Sequence, residues 1–501
     1  MKAVFVLFDS LNRNMIGPYG GEIATPNFDR LAAKTQTFDN HWVGSMPCMP
    51  ARRDLLTGRL SFLHRSWSPI EPFDQCFPDI LAQKSGTYSH LITDHFHYWE
   101  DGGATFHNRY DSYEFFRGQE GDRWVPVVDP DVAEVTAGYH PKQRNMARRS
   151  YNRHNILNRT RLKSEADFPS LQCFDAGLEF LSVNAKSDNW ILQIETFDPH
   201  EPFTHPDRFR ETPRPNSGHR DWPPYDRLGA ASAEEAAELR ESYRALVRFC
   251  DDQLGRLLDR FDAENLWEDT ALIVTTDHGF LLGEHDFWAK NRMTMYAELA
   301  RIPLFFHDPR APSPGSRSAA LTQTPDLAAT FYDLFATEAP DTVQGHSIAA
   351  LASGAESREA VVFGYFGGQV NLTDGRYTYH RAPEDLMGPG LYQYTLMPTH
   401  IMSFFSPEEL ALAELAPPFS FTQGMPVLKI PAIPASPMNR HYGPGGLIET
   451  DTRLYDLEAD PGQLVNLQTP EIEAKLAQQM AALMQANDAP PEAFIRLGLS
   501  L

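Results

Sequence analysis

The segment "AVFVLF" extends from Ala3 to Phe8 and ends directly before Asp9. A continuous apolar run of this length is typical of a parallel β-strand that is buried on both faces of a sheet. The segment "ALIVTT" (Ala271 to Thr276) has the same pattern and ends directly before Asp277. The two segments therefore predict parallel strands of an α/β fold, each with an acidic residue at its C-terminal end.

Two further candidate strands also run into acidic residues and histidines. "YSHLIT" (Tyr88 to Thr93) is followed by "DHFH", and "WILQIETF" (Trp190 to Phe197) is followed by "DPH". Ligands of open α/β sheets bind at the carboxyl ends of the strands. Because four strands bring Asp or His to that edge, we predict a functional site there.

The remaining patterns predict helices and a second, smaller domain. Ser232 and Glu235 form a capping box, and the apolar residues from Leu239 to Phe261 follow a helical period that includes Cys250. Short, turn-rich segments begin near residue 366. We predict a large α/β domain over residues 1–365 and a smaller α+β domain over residues 366–501, with a short antiparallel sheet and a terminal helix from about Pro470 to Ala486.

The Pro- and Gly-rich segment from Ala416 to Gly446 lies within the smaller domain. We expect no regular elements there, since long irregular segments of this kind are usually lids, arms between subunits or disordered chain. The segment would suit an arm of a homo-oligomer.

Composition and charge exclude several classes of partner. The chain has 501 residues and a formal net charge of -23 at pH 7, which argues against nucleic acid or an anionic membrane surface, because both reward clustered Lys and Arg. Four widely spaced cysteines without a C-x-x-C pair suggest neither a disulfide framework nor a structural zinc site. No apolar run reaches membrane-spanning length, and the apolar start meets Asp9 too early for a signal peptide. We expect a soluble, cytoplasmic protein.

The segment "SMPCMPARRDLLTGR", from Ser45 to Arg59, places Cys48 at the start of a predicted helix. Pro50 suits the first turn of a helix, and Gly58 is expected to end it. The helix N-terminus and Arg52, one turn along, would favour an anion beside Cys48. The alternatives are a small buried hydrophobic residue and an ordinary thiolate nucleophile. Neither alternative explains why carboxylates and histidines gather at the same edge.

The core "CMPAR" followed by "LLTGR" resembles the signature of the formylglycine-dependent sulfatases. In that family the cysteine is oxidised to an aldehyde, which is the catalytic group. The resemblance extends to "VLFDSLNRNMIGPYGG", "ATPNFDRLA", "DPHEPF", "TTDHGFLLGEHDFWAKN" and "LYDLEADPGQLVNL". It implies the α/β fold of the alkaline phosphatase superfamily, with a large, mostly parallel mixed sheet between helices and a small C-terminal sheet domain.

The resemblance also implies roles for individual residues. Asp9, Asp277 and His278 match metal ligands, and the modified Cys48 also touches the ion. Carboxylate oxygens suit Ca²⁺, Mg²⁺ or Mn²⁺. Ca²⁺ is the usual metal of the family, whereas the imidazole ligand favours Mn²⁺.

Two further positions match family residues that handle the ester. Lys290 resembles the lysine that binds the oxyanion, and His200 resembles the histidine beside the leaving group. Together with Arg52 and His95 these residues would bind the substrate.

Two departures from the family pattern keep the substrate open. Ser10 replaces the acidic residue that often follows the first metal-binding Asp. The segment "TDHFHYW" replaces a Gly-Lys-x-His pattern, which places Asp94 or His95 near the lysine position and His97 near the histidine position. A non-acidic residue after the first Asp is also found in the related phosphonate monoester and phosphodiester hydrolases.

The mechanism that the resemblance implies uses the hydrated aldehyde as nucleophile and the metal as an electrostatic catalyst. His200 or Lys290 would protonate the leaving alcohol, and His97 or His95 would act as the base that allows sulfate to leave. A formylglycine-generating enzyme is the implied maturation partner. The function predicted is hydrolysis of small sulfate esters, of the arylsulfatase type, with phosphonate monoester or phosphodiester hydrolysis as the alternative and a non-catalytic binding protein as the remote one.

Overall fold

The computed structural model describes residues 1–433, 436 and 443–500. Its centre is an eight-stranded sheet in the order β11-β2-β10-β7-β1-β6-β4-β5. The strands are β1 (Lys2–Phe8), β2 (Gln36–Trp42), β4 (Tyr88–Thr93), β5 (Ser112–Phe115), β6 (Trp190–Thr196), β7 (Thr270–Thr276), β10 (Leu304–His307) and β11 (Arg317–Gln323). All pairs are parallel except those of β10 with β2 and β7. The predicted mixed, mostly parallel sheet is confirmed, and the four predicted strands are its four adjacent strands β7, β1, β6 and β4.

Helices cover both faces of this sheet. The helices of the described residues are α1 (Pro26–Lys34), α2 (Cys48–Thr57), α3 (Phe77–Ser85), α4 (Ala104–His107), α5 (Val132–Thr136), α6 (Tyr151–Arg159), α7 (Pro169–Val183), α8 (Ala233–Ala263), α9 (Ala297–Ala300), α10 (Asp326–Leu334), α11 (Ile348–Ala352), α12 (Pro407–Leu410), α13 (Pro470–Ala486) and α14 (Pro491–Arg496). The last two, α13 and α14, belong to a separate core in the C-terminal part of the chain. Short 3-10 turns connect several of these elements.

The apolar run of strand β1 is continuous because helices bury both of its faces. Its side chains alternate between the two faces of the sheet. Val4 and Val6 belong to the core formed with α1, α7 and α8, whereas Ala3 and Phe5 belong to the core formed with α2, α3 and α10. A strand that is buried on both faces has no polar alternation, which is the pattern that its sequence predicted.

The long helix α8 matches its prediction. Ser232 and Glu235 form the capping box at its N-terminus. Cys250 is buried with the apolar stripe. All four cysteines are free and buried.

A five-stranded sheet in the order β18-β14-β13-β12-β3 forms the second layer of the molecule. Its strands are β3 (Ser45–Met46), β12 (Val361–Tyr365), β13 (Val370–Thr373), β14 (Tyr377–Arg381) and β18 (Arg453–Asp456). The smaller C-terminal part with its own sheets and the helix α13 are as predicted, and the short helix α14 follows α13. The division of the chain at residue 365 stays a prediction, because this sheet combines strands from both sides of that position.

Two more small sheets complete the fold. One contains β15 (Tyr392–Thr395), β16 (Glu414–Ala416) and β17 (Val427–Pro431), and the other pairs β8 (Leu281–Leu282) with β9 (Trp288–Ala289). The expectation that Ala416 to Gly446 has no regular elements is wrong for β17, because that strand pairs with both β15 and β16. Residues 434, 435 and 437–442 of this segment lie outside the described residues. No helix among the described residues has the length and apolar character needed to cross a membrane.

Candidate active site

Four adjacent parallel strands end at one edge of the large sheet, as predicted. The residues that follow them are Asp277 and His278 after β7, Asp9 after β1, Asp198 and His200 after β6, and Asp94, His95 and His97 after β4. Asp9, His95 and His278 are completely buried. The edge therefore brings together charged and titratable groups from four separate parts of the chain.

Cys48 is the first residue of α2, and the short strand β3 that precedes it pairs in parallel with β12. Gly58 ends the helix in a left-handed conformation with φ of 70°, so the predicted helix bounds are confirmed. Burial, together with the charge of Asp9, raises the pKa of the Cys48 thiol well above its usual value. In the protein alone, Cys48 is thus a neutral thiol and not an activated thiolate.

Four donor atoms from Asp9, Cys48, Asp277 and His278 lie within 4.8 Å of one another. The Cys48 sulfur is 3.2 Å from Nε2 of His278 and 3.8 Å from Oδ1 of Asp9. Nδ1 of His278 lies 2.9 Å from the carbonyl oxygen of Gly279. With the proton on Nδ1 donated to that carbonyl, the lone pair of Nε2 is directed toward the cluster.

Arg52 is 1% exposed and holds three carboxylates. Its Nη2 donates to Asp9 at 2.9 Å, its Nη1 to Asp277 at 2.7 Å, and its Nε to Glu195 at 2.8 Å. Burial alone would lower the pKa of Arg52, but the three carboxylates raise it well above its usual value. These contacts hold the guanidinium beside the donor cluster, and the predicted contact of Arg52 with a substrate anion stays a prediction.

The sequence analysis missed Glu195. This residue lies in the buried strand β6, where it is completely inaccessible and also accepts a hydrogen bond from the hydroxyl of Tyr98 at 3.0 Å. A glutamate inside an otherwise apolar strand was the available signal, because a buried carboxylate needs a charged or hydrogen-bonding partner.

Lys290 lies between Ser10 and the donor cluster. Its Nζ donates to Oγ of Ser10 at 3.0 Å and lies 3.5 Å from the sulfur of Cys48 and 3.4 Å from Nε2 of His278. Burial opposes its charge, but the acidic groups around it raise the pKa of Lys290 above its usual value, so the amine is protonated. Ser10 in turn donates to Oδ1 of Asp9 at 2.8 Å.

The three histidines predicted for the site have different surroundings. His97 and His200 line the pocket in front of Cys48. Nδ1 of His97 is 2.6 Å from a carboxylate oxygen of Glu100, and Nδ1 of His200 is 2.5 Å from the carbonyl oxygen of Glu201.

His95 does not line this pocket. Its Nε2 lies 3.4 Å from Oδ2 of Asp9, and neither of its ring nitrogens has a hydrogen-bond partner among the described residues. The predicted contact of His95 with substrate stays a prediction. Asp94 accepts a hydrogen bond from the backbone N–H of Phe197 at 2.6 Å and lies apart from the pocket.

A sequence model of the Sulfatase family matches residues 2–337 of the chain. This segment includes the strand ends, helix α2 and Lys290. The chain belongs to the sulfatase family. Membership in this family agrees with the alkaline phosphatase superfamily that the motifs predicted. It also supports the hydrolysis of sulfate esters as the activity.

Individual relatives agree with this assignment. The N-acetylglucosamine-6-O-sulfatase of Bacteroides thetaiotaomicron is 25% identical over 434 residues, which cover 72% of this sulfatase and 74% of the relative. A structure solved with its substrate D-glucosamine-2-N,6-O-disulfate has a TM-score of 0.64 at 17% identity and covers 98% of this chain and 99% of its own. The phosphonate monoester hydrolase of Agrobacterium radiobacter has a TM-score of 0.64 at 16% identity, with 97% and 96% covered. At these identities the two structures show a shared fold.

The donor cluster of this sulfatase fits a divalent cation. Two carboxylates and one imidazole whose Nε2 lone pair is directed toward the cluster are suitable ligands for such an ion. Arg52 and the surrounding charges hold the pKa of Asp9 well below its usual value, although burial opposes this. Asp9 is therefore present as the carboxylate that a metal requires.

The pocket above Cys48 has a volume of about 280 Å³. Aromatic side chains form much of its wall, and Glu120, Glu201, Asn291 and Arg292 add polar groups. The aromatic residues are Trp67, Tyr151, Trp222 and Tyr225. None of these four was predicted as a site residue, because they come from loops and from α6, whose sequences carry no motif.

Proposed function

We propose that this sulfatase hydrolyses small sulfate esters through formylglycine formed at Cys48, with one divalent cation, Ca²⁺ or Mn²⁺, held by Asp9, Asp277 and His278. The observation that supports the proposal most directly is the meeting of Cys48, at the start of α2, with these three residues within 4.8 Å. When present, formylglycine supplies a hydrated aldehyde as nucleophile, and the cation supplies positive charge beside it.

Each neighbouring residue then has a distinct task. Arg52 orients Asp9 and Asp277 and balances their charge, so it acts as a positioning residue. Protonated Lys290 offers Nζ–H groups to the oxygens of the ester and a proton to the leaving alcohol or phenol.

The two histidines of the pocket have different roles. Burial and the charge of Lys290 lower the pKa of His200 well below its usual value. Neutral His200 therefore orients the leaving group, and the proton comes from Lys290. His97, whose ring is held by Glu100, is the base that the release of sulfate requires.

Modification of Cys48 is tested by mass spectrometry of peptides from protein made together with a formylglycine-generating enzyme. Cys76 provides an internal control, because "CFPDI" has the cysteine and proline of the C-x-P-x-R core but lacks its arginine. We expect formylglycine at position 48 and an unmodified thiol at position 76. An active preparation with an unmodified thiol at position 48 would contradict the aldehyde mechanism.

Hydrolysis of phosphonate monoesters or phosphodiesters is the second candidate function, and Ser10 is the residue that favours it. Sulfate monoesters and these phosphorus esters all carry one negative charge, so shape has to separate them. A phosphorus substrate has an organic group where sulfate has its third small oxygen. Lys290 and His97 would lose hydrogen bonds to that group, and unpaired polar groups discriminate strongly.

The deciding measurement is kcat/KM of one metal-loaded preparation for an aryl sulfate, an aryl phenylphosphonate and an aryl phosphodiester. We expect the sulfate to be preferred, with measurable side activity on the other two. His97→Ala should reduce the preference by slowing sulfate hydrolysis more than the others. A clear preference of the wild-type protein for either phosphorus ester would replace the sulfatase proposal by the second candidate.

A further inference from the structure

Two carboxylates face the pocket above Cys48 without a counterion of their own. Glu120 is 7% exposed and Glu201 is 1% exposed, and both line the pocket. Oε2 of each residue accepts no hydrogen bond from the described residues. The nearest basic atoms are Nε2 of His97, 3.5 Å from Oε2 of Glu120, and Nδ1 of His200, 3.3 Å from Oε2 of Glu201.

The backbone holds Glu120 in this position at some cost. Its φ of 42° lies in the left-handed region, which is uncommon for residues other than glycine and is found mostly where function requires it. The other oxygen of Glu201 accepts a hydrogen bond from the hydroxyl of Tyr225. Tyr225 therefore orients the carboxyl group of Glu201, and Oε2 of each residue is left for a ligand.

The two cationic side chains that line the same pocket contact groups other than these carboxylates. Nζ of Lys290 contacts Ser10 and Cys48 at the sulfate end, and Nη1 of Arg292 donates to the carbonyl oxygen of Gly446 at 2.7 Å. Burial and the proximity of Glu201 raise the pKa of Glu120 well above its usual value. Without a ligand the two side chains therefore disfavour carrying both negative charges at once, although the charge of Lys290 offsets this in part.

A bound ligand would remove the remaining water from these carboxylates. Beside a neutral ligand the two groups would stay protonated or repel each other as carboxylates, so they would add little to its binding. An ammonium group would supply the missing charge, and the faces of Trp67, Trp222 and Tyr225 would add cation–π attraction. The volume of about 280 Å³ is at the lower end for ligand pockets, which favours a small alcohol over an oligosaccharide.

We infer that the substrate is the sulfate ester of a small alcohol that carries an ammonium group, with Glu120, Glu201 and the aromatic wall as the binding subsite for that cation. The inference rests on the proposed function for the position of the sulfate end, which lies at Cys48 and Lys290. It adds a second recognition element that selects the alcohol by charge.

The test measures binding without turnover. Cys48→Ala prevents formation of formylglycine, and isothermal titration calorimetry of the metal-loaded variant compares choline O-sulfate with 3,3-dimethylbutyl sulfate, in which carbon replaces the charged nitrogen. We expect choline O-sulfate to bind at least tenfold more tightly. Adding Glu120→Gln or Glu201→Gln should each reduce that ratio severalfold, whereas the exposed carboxylate control Glu114→Gln should leave it unchanged.

Equal affinity for the two esters, absence of binding by both, or a preference that survives both pocket substitutions would overturn the inference. If a pocket variant fails to fold, the ratio of the affinities for the two esters, measured with Cys48→Ala alone, decides whether the inference stands. The proposed function is tested separately with formylglycine-bearing protein. Hydrolysis of 4-nitrophenyl sulfate without a charge preference in binding would overturn only the cation subsite, whereas a charge preference without hydrolysis of either sulfate ester would overturn only the proposed sulfatase activity.

Discussion

Asp9, Asp277 and His278 can be removed one at a time to test the metal site. Replacing any of them by Ala removes a ligand from a small cluster and leaves Arg52 and Lys290 less well balanced. We expect the metal content per chain and the esterase activity to fall close to zero in each variant. Elemental analysis of the purified proteins measures the metal directly.

Ser10→Ala is the matched control for this series. Ser10 donates to Asp9 and accepts from Lys290, so its removal changes the orientation of a ligand and leaves the ligand itself in place. We expect this variant to keep most of its metal. A Ser10→Ala protein as metal-free as Asp9→Ala would show that the hydroxyl coordinates the cation.

His219 predicts a pH dependence of stability outside the active site. Its Nε2 lies 2.9 Å from Asp221 and its Nδ1 lies 3.4 Å from Glu238. Burial and the neighbouring Arg214 would lower the pKa of His219, but the two carboxylates raise it above its usual value. The protonated form therefore stabilises the folded state at pH below about 6.5, and this contribution is lost as the pH rises through the folded-state pKa.

His219→Gln removes this contribution. The free energy of unfolding, measured by urea denaturation at pH 5.5 to 9, should differ most between wild type and variant at the acidic end. The difference should shrink as the pH rises. A difference that is constant across this range would show that His219 is not protonated in the folded protein.

At the scale of single elements, the glycine that ends helix α2 is a position where substitution should destabilise the fold. Gly58 has φ of 70°, and a Cβ atom added there would lie 2.8 Å from Cγ1 of Val343. Gly86 ends α3 with φ of 64° but has no atom within 4 Å of an added Cβ. Gly86→Ala should therefore cost only the left-handed conformation, about 1 kcal/mol, whereas Gly58→Ala should cost about 1 to 3 kcal/mol more.

Chemical denaturation of the two variants measures this difference. Gly58→Ala should also reduce activity, because the end of α2 fixes the position of Cys48 at its start. Equal losses of stability in the two variants would mean that Val343 moves aside without cost.

The whole molecule is expected to unfold as one unit. The second sheet pairs β12, which lies before position 366, with β13, which lies after it, and one apolar cluster contains Trp42 and Met46 together with Phe363 and Tyr455. Because the two predicted domains share a sheet and a core, calorimetry should give one transition with equal calorimetric and van't Hoff enthalpies. Two separated transitions would indicate that residues 1–365 fold independently.

Predictions from the sequence succeeded where the deciding interactions are local and failed where they join distant segments. The bounds of α2, β1 and β7 follow from local patterns, because an apolar run or a glycine at a helix end acts over a few residues. The prediction failed for β17, since a strand in a Pro-rich segment forms only when distant partners pair with it. The shared sheet of β3 and β12 was not foreseen for the same reason.

The sequence by itself determined the α/β fold, the edge of the sheet at which the site lies and the family. These features depend on strand patterns and on motifs that can be read in order along the chain. Only the tertiary structure showed that Arg52 binds three carboxylates, that His95 contacts Asp9 and not the pocket, and that Glu120 and Glu201 face Cys48. Contacts between residues far apart in sequence are set by the packing of whole elements. No local pattern records which carboxylate an arginine meets or which loops close a pocket.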